Sequence, residues 1–384
     1  MFGKDEPDAA EQEALAADQG LFAQRLFVAT PKAWVTKAIV VANIVIFLAM
    51  LVDGAGLFEA NSAVHLRWGA NFGPITKEGE WWRLLACTFL HFGLVHVAMN
   101  MWALWGAGGL VERLYGNAGF LAIYLFAGLT GSFASLYWNA DQVVSVGASG
   151  AVFGVYGALA AYVLREPGSV PRSVLKSLTS STIAFIGYSI FLGFMVSAID
   201  NAAHAGGLVG GFALAWVLAR PLAPRTALGA GRGLAAVAVA GLSIAALFVL
   251  LPPAKYSYAA QGAATGAIQA FAGEEDALAK KAELLVEDRK AGRITDRQLG
   301  EAIERQILPG WVAAHARFAA ITLEPGAPAA ARVKALTEFV RVRRDMFAAY
   351  AEGLKTGDAA RMRRAEELSS EAQALMKAMR ERSQ

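Results

Sequence analysis

The sequence predicts an all-α fold, in which a polytopic membrane bundle of apolar helices precedes a helical, water-soluble C-terminal domain. Hydrophobic residues make up 56% of the 384 residues and charged residues only 17%, below the roughly 25% of soluble proteins. The mean hydropathy is +0.41. Charges concentrate after residue 252, where 21 of the 35 Lys and Arg and 18 of the 32 Asp and Glu lie. Residues 1–252 are therefore predicted to lie in the membrane for the most part, and residues 253–384 are predicted to be water-soluble.

Charge and cysteine content exclude several classes of protein. The net charge of +3 is small and dispersed, so nucleic acid is not an expected partner. Cys87 is the only cysteine, which excludes an intrachain disulfide. Residues 1–24 carry acidic residues and no apolar run, so we expect no signal peptide there. We predict a cytoplasmic N-terminal extension over 1–33.

Seven apolar segments each approach the roughly 20 residues that a helix needs to cross a bilayer. Their approximate bounds are 34–53, 92–111, 118–138, 149–164, 178–198, 202–219 and 233–252. We predict a six-helix core over 34–220, a linker and seventh transmembrane helix over 221–252, and a helical soluble domain over 253–384.

Basic residues indicate the orientation of these segments. Two lie at the start of the first predicted span, and the others lie in the connections after the second, fourth and sixth spans. They are Lys32, Lys37, Arg113, Arg165, Arg172, Lys176, Arg220, Arg225 and Arg232. Two connections on the other side, 139–144 and 200–201, contain none. The positive-inside rule predicts a cytoplasmic N-terminus. Three crossings then place the start of the fourth segment on the outer side. Seven crossings place residues 253–384 on the same side.

The connection over 54–91 is long and rich in aromatic residues. It holds Trp68, Trp81, Trp82 and Phe89, which suit an interfacial structure at the membrane surface. Composition alone fits a solvated loop with a few anchoring tryptophans equally well.

The C-terminal block has the pattern of an antiparallel set of helices. We predict helices over 273–291, from Thr295 to before Pro309, and over 311–321, 328–352 and 359–381. Thr295 and Gln298 have the spacing of a capping box. Apolar residues recur at intervals of three and four residues along 336–350, which indicates an amphipathic helix face. The block shows no catalytic cluster, and we interpret His315 as structural.

The stretch Gly147-Ala148-Ser149-Gly150 opens the fourth apolar segment. A serine in the first helical turn lies among free backbone N–H groups, and flanking glycines let other backbone come close. On these four residues alone, a packing face of small residues, common in membrane helices, is the favoured interpretation, and a nucleophile is the alternative. The polar residues in the rest of the chain reverse this preference.

His96 and Asn100 stand four residues apart in the second segment, so they share one helical face. Polar groups within membrane segments are functional candidates by default, and both side chains can donate hydrogen bonds. The alternative is a polar stripe that joins two helices. We interpret His91, just upstream, as a structural partner.

His204 begins the sixth segment and is followed by Gly207 and Gly211. This small-residue face matches Gly150 and Gly154 of the fourth segment, and such faces let helices approach backbone to backbone. If the two faces meet, Ser149 and His204 come together as a nucleophile and its general base.

These motifs together resemble the rhomboid family of intramembrane serine proteases. The family pattern is matched in order and spacing over about 35–220. The matching residues are Glu80-Trp81-Trp82-Arg83, His96 with Asn100, Gly147 with Ser149 and Gly150, and Ala203-His204 with Gly207 and Gly211. The seventh segment resembles the six-plus-one arrangement of some members. The C-terminal block and the acidic lead-in lie outside the resemblance.

The resemblance implies a catalytic dyad of Ser149 and His204, with an oxyanion hole formed by the Ser149 backbone N–H, His96 and Asn100. Gly147, Gly150, Phe153, Gly207, Gly211, Trp82 and Arg83 are expected to support the site. Phe153 lies one turn after Ser149, and its ring either packs on His204 or is an ordinary core aromatic. Asp200, one turn before His204, is interpreted as a helix cap rather than a third catalytic member.

The expected activity is endoproteolysis of single-pass transmembrane proteins near the outer face of a bacterial inner membrane. The expected partners are these substrates and the lipid bilayer, and no cofactor or metal is expected. The role of residues 253–384 is left open. Three alternatives predict no proteolysis: an inactive rhomboid-like protein that binds membrane clients, a transporter or channel, and a scaffold that works through its C-terminal bundle. The first predicts loss of the serine or histidine, and both are present.

Overall fold

The computed structural model describes residues 9–139, 141–195, 199–222 and 230–381. They form two compact units, Met1–Ala254 and Lys255–Gln384. The predicted all-α class is confirmed, because 79% of the described residues are helical. Parts of the predicted regions lie outside the described residues: 1–8 of the N-terminal extension, 196–198 of the fifth span, 223–229 of the linker and 382–384 of the C-terminal domain.

The elements of the first unit follow the predicted apolar segments. In chain order they are α1 (Ala9–Ala29), α2 (Val35–Val52), α3 (Ser62–Trp68), β1 (Asn71–Phe72), α4 (Gly73–Thr76), α5 (Arg83–Ala86), α6 (Leu94–Trp138), β2 (Val144–Ser145), α7 (Ser149–Arg165), α8 (Arg172–Met195), α9 (Asn201–Leu218) and α10 (Ala230–Leu250). Within the described residues, α2, α6, α9 and Gly231–Leu250 of α10 are long and apolar enough to cross a membrane. Each predicted span coincides with a helix. The span predicted from 178 belongs to α8, which begins at Arg172; the prediction began later because the first turns of this helix contain polar residues.

Helix α6 contains both the second and the third predicted spans in 45 residues. Gly116 separates them with a non-helical backbone, φ 79° and ψ 165°. This positive φ favours glycine, and it redirects the chain so that the two halves of α6 can be separate crossings.

Helix α7 is the central helix of the bundle. Its 17 residues rise roughly 26 Å, less than the roughly 30 Å of a bilayer's hydrocarbon core. Most of its side chains are buried among other helices. A short, enclosed helix of this kind can begin below the membrane surface, and Ser149 is its first residue.

The 54–91 connection is a folded structure. It contains α3, α4, α5 and strand β1, which pairs antiparallel with β2 of the 139–148 connection. Lys77 and Asp141 form a buried ion pair at 2.9 Å between the same two connections. The connection that precedes Ser149 is therefore fixed against the 54–91 connection by backbone pairing and by charge.

The start of α2 is held by a buried carboxylate from α6. Glu112 accepts hydrogen bonds from the backbone N–H groups of Val35 and Thr36, at 2.7 and 2.9 Å, and from the Thr36 hydroxyl at 2.7 Å. These bonds satisfy N–H groups that a helix start leaves unpaired. They explain how a fully buried acidic residue is tolerated in this unit.

Helix α10 packs at its C-terminal end against the 54–91 connection. The Phe248 ring makes edge contacts with Trp81 of that connection and with Phe133 of α6, with centroids 4.9 and 4.8 Å apart. Leu247 and Leu251 pack against the cluster that includes Leu84. The end of α10 therefore lies at the same end of the bundle as the 54–91 connection.

The second unit consists of α11 (Tyr258–Lys290), α12 (Asp296–Gln306), α13 (Leu308–Ala319), α14 (Ala330–Thr356) and α15 (Ala359–Glu381). Its core surrounds the fully buried Trp311, which contacts the rings of Phe271, Phe339 and Phe347. Arg317 of α13 binds the Glu274 carboxylate of α11, and this hydrogen bond lowers the pKa of Glu274.

Helix boundaries in this unit were predicted with mixed success. The capping box of Thr295 and Gln298 is confirmed, and Asp358 accepts a hydrogen bond from the Ala360 N–H at the start of α15. The start of the first helix at 273 was wrong, because the small uncharged residues from Tyr258 onward also form helix. The predicted end of the 328–352 helix was also wrong, since α14 continues past Gly353 to Thr356, and Gly357 follows it with φ 72°.

Candidate active site

Ser149 is the first residue of α7 and follows a tightly constrained turn. Gly147 has φ 130°, and a Cβ there would lie 2.8 Å from the His96 ring. Its N–H donates to the Cys87 carbonyl at 2.9 Å. Only glycine fits this conformation and this contact. The turn leaves the first N–H groups of α7 free of helical partners, beside a half-buried hydroxyl.

His204 lies in the first turns of α9 and is 7% exposed. The Phe153 ring of α7 stacks on its imidazole, with centroids 4.2 Å apart and an interplanar angle of 12°. Of the two interpretations of Phe153, packing of its ring on His204 is therefore the one observed. Among the described residues, the His204 Nδ1 atom has no hydrogen-bond partner.

Helices α7 and α9 approach backbone to backbone along a glycine seam. A Cβ at Gly207 would overlap the carbonyl oxygen of Gly150, and a Cβ at Gly211 would overlap the backbone of Gly154. The two small-residue faces of the sequence do meet. This close approach brings the ends of α7 and α9 that carry Ser149 and His204 to one place.

Ser149, His204, His96 and Asn100 all line one cavity of about 430 Å³. Most of the remaining wall is apolar, and Phe153 of α7 and Phe185 of α8 contribute to it. The cavity therefore gathers these four polar groups from α6, α7 and α9, together with Asp200 and several hydroxyl side chains, in a wall that is otherwise apolar. Such a concave site with few polar groups is the usual form of a binding or catalytic pocket.

His96 and Asn100 are held on one face of α6. The Asn100 amide donates to the His96 carbonyl at 3.0 Å, which uses one of its two N–H bonds. The Phe92 N–H lies 3.4 Å from His96 Nδ1. This arrangement leaves His96 Nε2 on the Gly147 side of the ring.

Trp82 and Arg83 do not line the cavity. The buried Arg83 guanidinium donates to the carbonyl oxygens of Leu66 and Ala70, at 2.6 and 3.2 Å, and pairs with Glu80. The Trp82 ring lies where a Cβ at Gly69 would be. The contacts of both residues therefore lie within the 54–91 connection.

Two residues near the nucleophile turn have roles that spacing alone did not reveal. The ring of the fully buried His91 lies 3.4 Å from the Ala148 N–H. Asp200 accepts a hydrogen bond from the Ala203 N–H at 3.0 Å, which confirms its interpretation as a helix cap. Asp200 also accepts a hydrogen bond from the Ser145 hydroxyl, 55 residues earlier in the chain, and no sequence pattern signals this contact.

The fold and the cavity define a class: polytopic helical membrane proteins with a serine and a histidine together in a buried pocket. The profile of the Rhomboid domain matches residues 78–221 of this chain, a range that holds all four polar residues. The chain belongs to the rhomboid family of intramembrane serine proteases and is an integral membrane protein.

Several curated rhomboid proteins are similar to this chain. Rhomboid protease GluP of Bacillus subtilis is 35% identical over 270 residues, covering 70% of this chain and 48% of that protein. Rhomboid protease AarA of Providencia stuartii is 30% identical over 205 residues, covering 48% of this chain and 72% of that protein. Putative rhomboid protease YdcA of Bacillus subtilis is 32% identical over 149 residues, covering 39% and 72%. The chain spans about half the length of GluP.

Proposed function

We propose that this chain is an intramembrane serine endopeptidase that cleaves transmembrane substrate proteins near the outer membrane face through a Ser149–His204 dyad. One observation carries the proposal: the two residues line the same cavity, on helices that the glycine seam holds in contact. The family membership of the chain supports it further.

The proposed reaction proceeds in two halves. Ser149 Oγ attacks the scissile carbonyl carbon while His204 accepts the hydroxyl proton, and His204 then protonates the leaving amine as the C–N bond breaks. Water next attacks the acyl-enzyme ester, again giving its proton to His204, and Ser149 Oγ leaves with that proton. The stacked Phe153 ring fixes the imidazole plane during both halves.

The developing oxyanion is proposed to bind the Ser149 N–H, His96 and Asn100. The free N–H at the start of α7 also lies at the positive end of that helix. Asn100 retains one N–H after its bond to the His96 carbonyl. Preorganised donors of this kind stabilise the charge that forms in the transition state.

Removal of the oxyanion donors is expected to slow cleavage while leaving binding largely intact. His96→Ala or Asn100→Ala alone should lower the turnover of a reconstituted transmembrane substrate by about 100- to 1,000-fold. The matched control is Gly106→Ala on the same helix, where an added Cβ meets no atom within 4 Å. A rate unchanged in the double variant would place the oxyanion site elsewhere.

We also propose that the N-terminus is cytoplasmic and that residues 253–384 form a soluble domain on the outer side of a bacterial inner membrane. The charge distribution favours this orientation. The packing of Phe248 on Trp81 supports it, because the end of α10 then shares a membrane side with the 54–91 connection.

The proposed substrates are single-pass transmembrane proteins whose helices are easily unwound. A helical carbonyl is already hydrogen-bonded, so the substrate must open locally before Ser149 can attack. We propose that it enters beside α8, whose Phe185 stacks on Tyr156 with centroids 4.0 Å apart and lines the cavity. A ring contact of this kind can open without breaking a hydrogen bond.

A panel of single-pass substrates in liposomes tests this specificity. We expect cleavage of spans with glycine or other helix-breaking residues near the outer boundary, and no cleavage of uninterrupted poly-Leu spans of equal length. Mass spectrometry of the products locates the cut. Cleavage of the poly-Leu spans together with survival of the interrupted ones would contradict the proposal.

A further inference from the structure

Asp200 joins the helix of the proposed base to the connection that carries the proposed nucleophile. Its Oδ1 accepts from the Ala203 N–H at 3.0 Å and from Asn139 Nδ2 at 2.9 Å. Its Oδ2 accepts from the Ser145 hydroxyl at 2.7 Å. Asn139 and Ser145 belong to the connection between α6 and α7, whereas Ala203 precedes His204 directly. One carboxylate thus spans both sides of the site.

The other polar contacts of that connection come from the 54–91 side and its continuation to α6. They include the β1–β2 pairing, the Lys77–Asp141 ion pair and the His91 contact to the Ala148 N–H. These contacts orient the connection relative to α6 but not relative to α9. Among the hydrogen bonds of the described residues, those of Asp200 are the ones that tie the connection to the start of α9.

We propose that Asp200 is a positioning residue that sets the distance between Ser149 and His204. This inference rests on the proposed function. Asp200 acts through Asn139 and Ser145 on one side and through the cap of α9 on the other. A hydrogen bond to the imidazole is not its proposed role, because its carboxylate oxygens accept from these donors and His204 Nδ1 has no partner among the described residues.

Asp200 caps α9, ties α9 to the 139–148 connection and carries a negative charge. The variants Asp200→Ser and Asp200→Asn separate these three functions. Serine caps helices well but is too short to reach both Asn139 and Ser145, so Asp200→Ser keeps the cap and removes the tie. Asparagine has the shape of aspartate, and its oxygen can accept from Ala203 and Asn139 while its amide donates to the Ser145 oxygen. Asp200→Asn therefore keeps both the cap and the tie but removes the charge.

The test is the labelling of Ser149 by a fluorophosphonate probe in the full-length chain in liposomes. Wild type is labelled first and compared with Ser149→Ala, so that failure of the proposed function is recognised separately. For Asp200→Ser we expect the maximal labelling rate to fall about 10- to 100-fold, because small displacements of reacting groups have effects of this size. The probe concentration at half-maximal rate should change less than about twofold, because Asp200 is only one of the residues that line the cavity and the apolar part of the wall is unchanged.

Asp200→Asn is expected to label within about threefold of wild type, and so is the cap control Asp358→Ser in α15. A wild-type rate in Asp200→Ser would overturn the proposal and leave Asp200 a cap only. A fall in Asp200→Asn as large as that in Asp200→Ser would also overturn it, because the charge rather than the tie would then matter.

Ser145→Ala provides a second route to the same conclusion. It leaves the α9 cap untouched and removes one donor from the Asp200 carboxylate. We expect a smaller fall in the maximal labelling rate, about 3- to 10-fold, and no added effect when Ser145→Ala is combined with Asp200→Ser. If Asp200→Ser does not fold, Ser145→Ala decides, and an unchanged rate in it would overturn the proposal.

Discussion

Ser149→Ala is expected to reduce cleavage of a transmembrane substrate to background, a loss of roughly 10⁴-fold or more. The reason is chemical: without Oγ there is no atom that can form the acyl enzyme, and the remaining groups of the cavity only bind and polarise the substrate. The side chain is half-buried and small, so the fold should survive. Cleavage is measured in liposomes, with thermal unfolding as the check on structure.

A matched control accompanies this variant. Ser243→Ala removes a hydroxyl from α10, away from the residues that line the cavity, and should leave cleavage unchanged. His204→Ala should resemble Ser149→Ala, because the hydroxyl then has no base to accept its proton. Cleavage by Ser149→Ala within tenfold of wild type would exclude the proposed nucleophile.

Gly207→Ala is expected to have the largest effect of any methyl added to the helices of the core. The new Cβ would overlap the Gly150 carbonyl oxygen and press on its Cα, and backbone cannot rotate away as a side chain can. Overpacking of this kind destabilises a core by about 1–3 kcal/mol. It also moves α9 away from α7, and a shift of about 1 Å between reacting groups lowers turnover about 100-fold.

The measurements for Gly207→Ala are turnover and thermal unfolding in the same detergent. Gly241→Ala on α10 is the control, because an added Cβ there meets no atom within 4 Å, and both quantities should match wild type. Turnover and unfolding temperature equal to wild type in Gly207→Ala would mean that the two helices do not depend on this seam.

Much of the membrane unit was predictable because lipid imposes strong constraints on sequence. Apolar runs of a fixed length reveal crossings, and Gly207 and Gly211 reveal a close helix contact before its partner is known. The same reasoning singled out His96 and Asn100, since buried polar residues in lipid are rare. Helical spacing placed Phe153 on the face of Ser149, but it did not decide between stacking on His204 and an ordinary place in the core.

Other features were not predictable because they depend on contacts between distant parts of the chain. The buried pair of Lys77 and Asp141 joins two connections whose relative placement only the fold decides. The three bonds of Glu112 to the start of α2 depend likewise on how α2 meets α6. Arg83 was grouped with the site by resemblance, whereas its hydrogen bonds go to carbonyl groups of the 54–91 connection.

The central claim is that a serine and a histidine from separate helices act together inside a cavity within the membrane. Fluorophosphonate labelling of the full-length chain in liposomes, followed by peptide mass spectrometry, tests it most directly. The account predicts one adduct, on Ser149, that forms in wild type, slows strongly in His204→Ala and is absent in Ser149→Ala. An adduct on another residue, or equal labelling of wild type and Ser149→Ala, would contradict it.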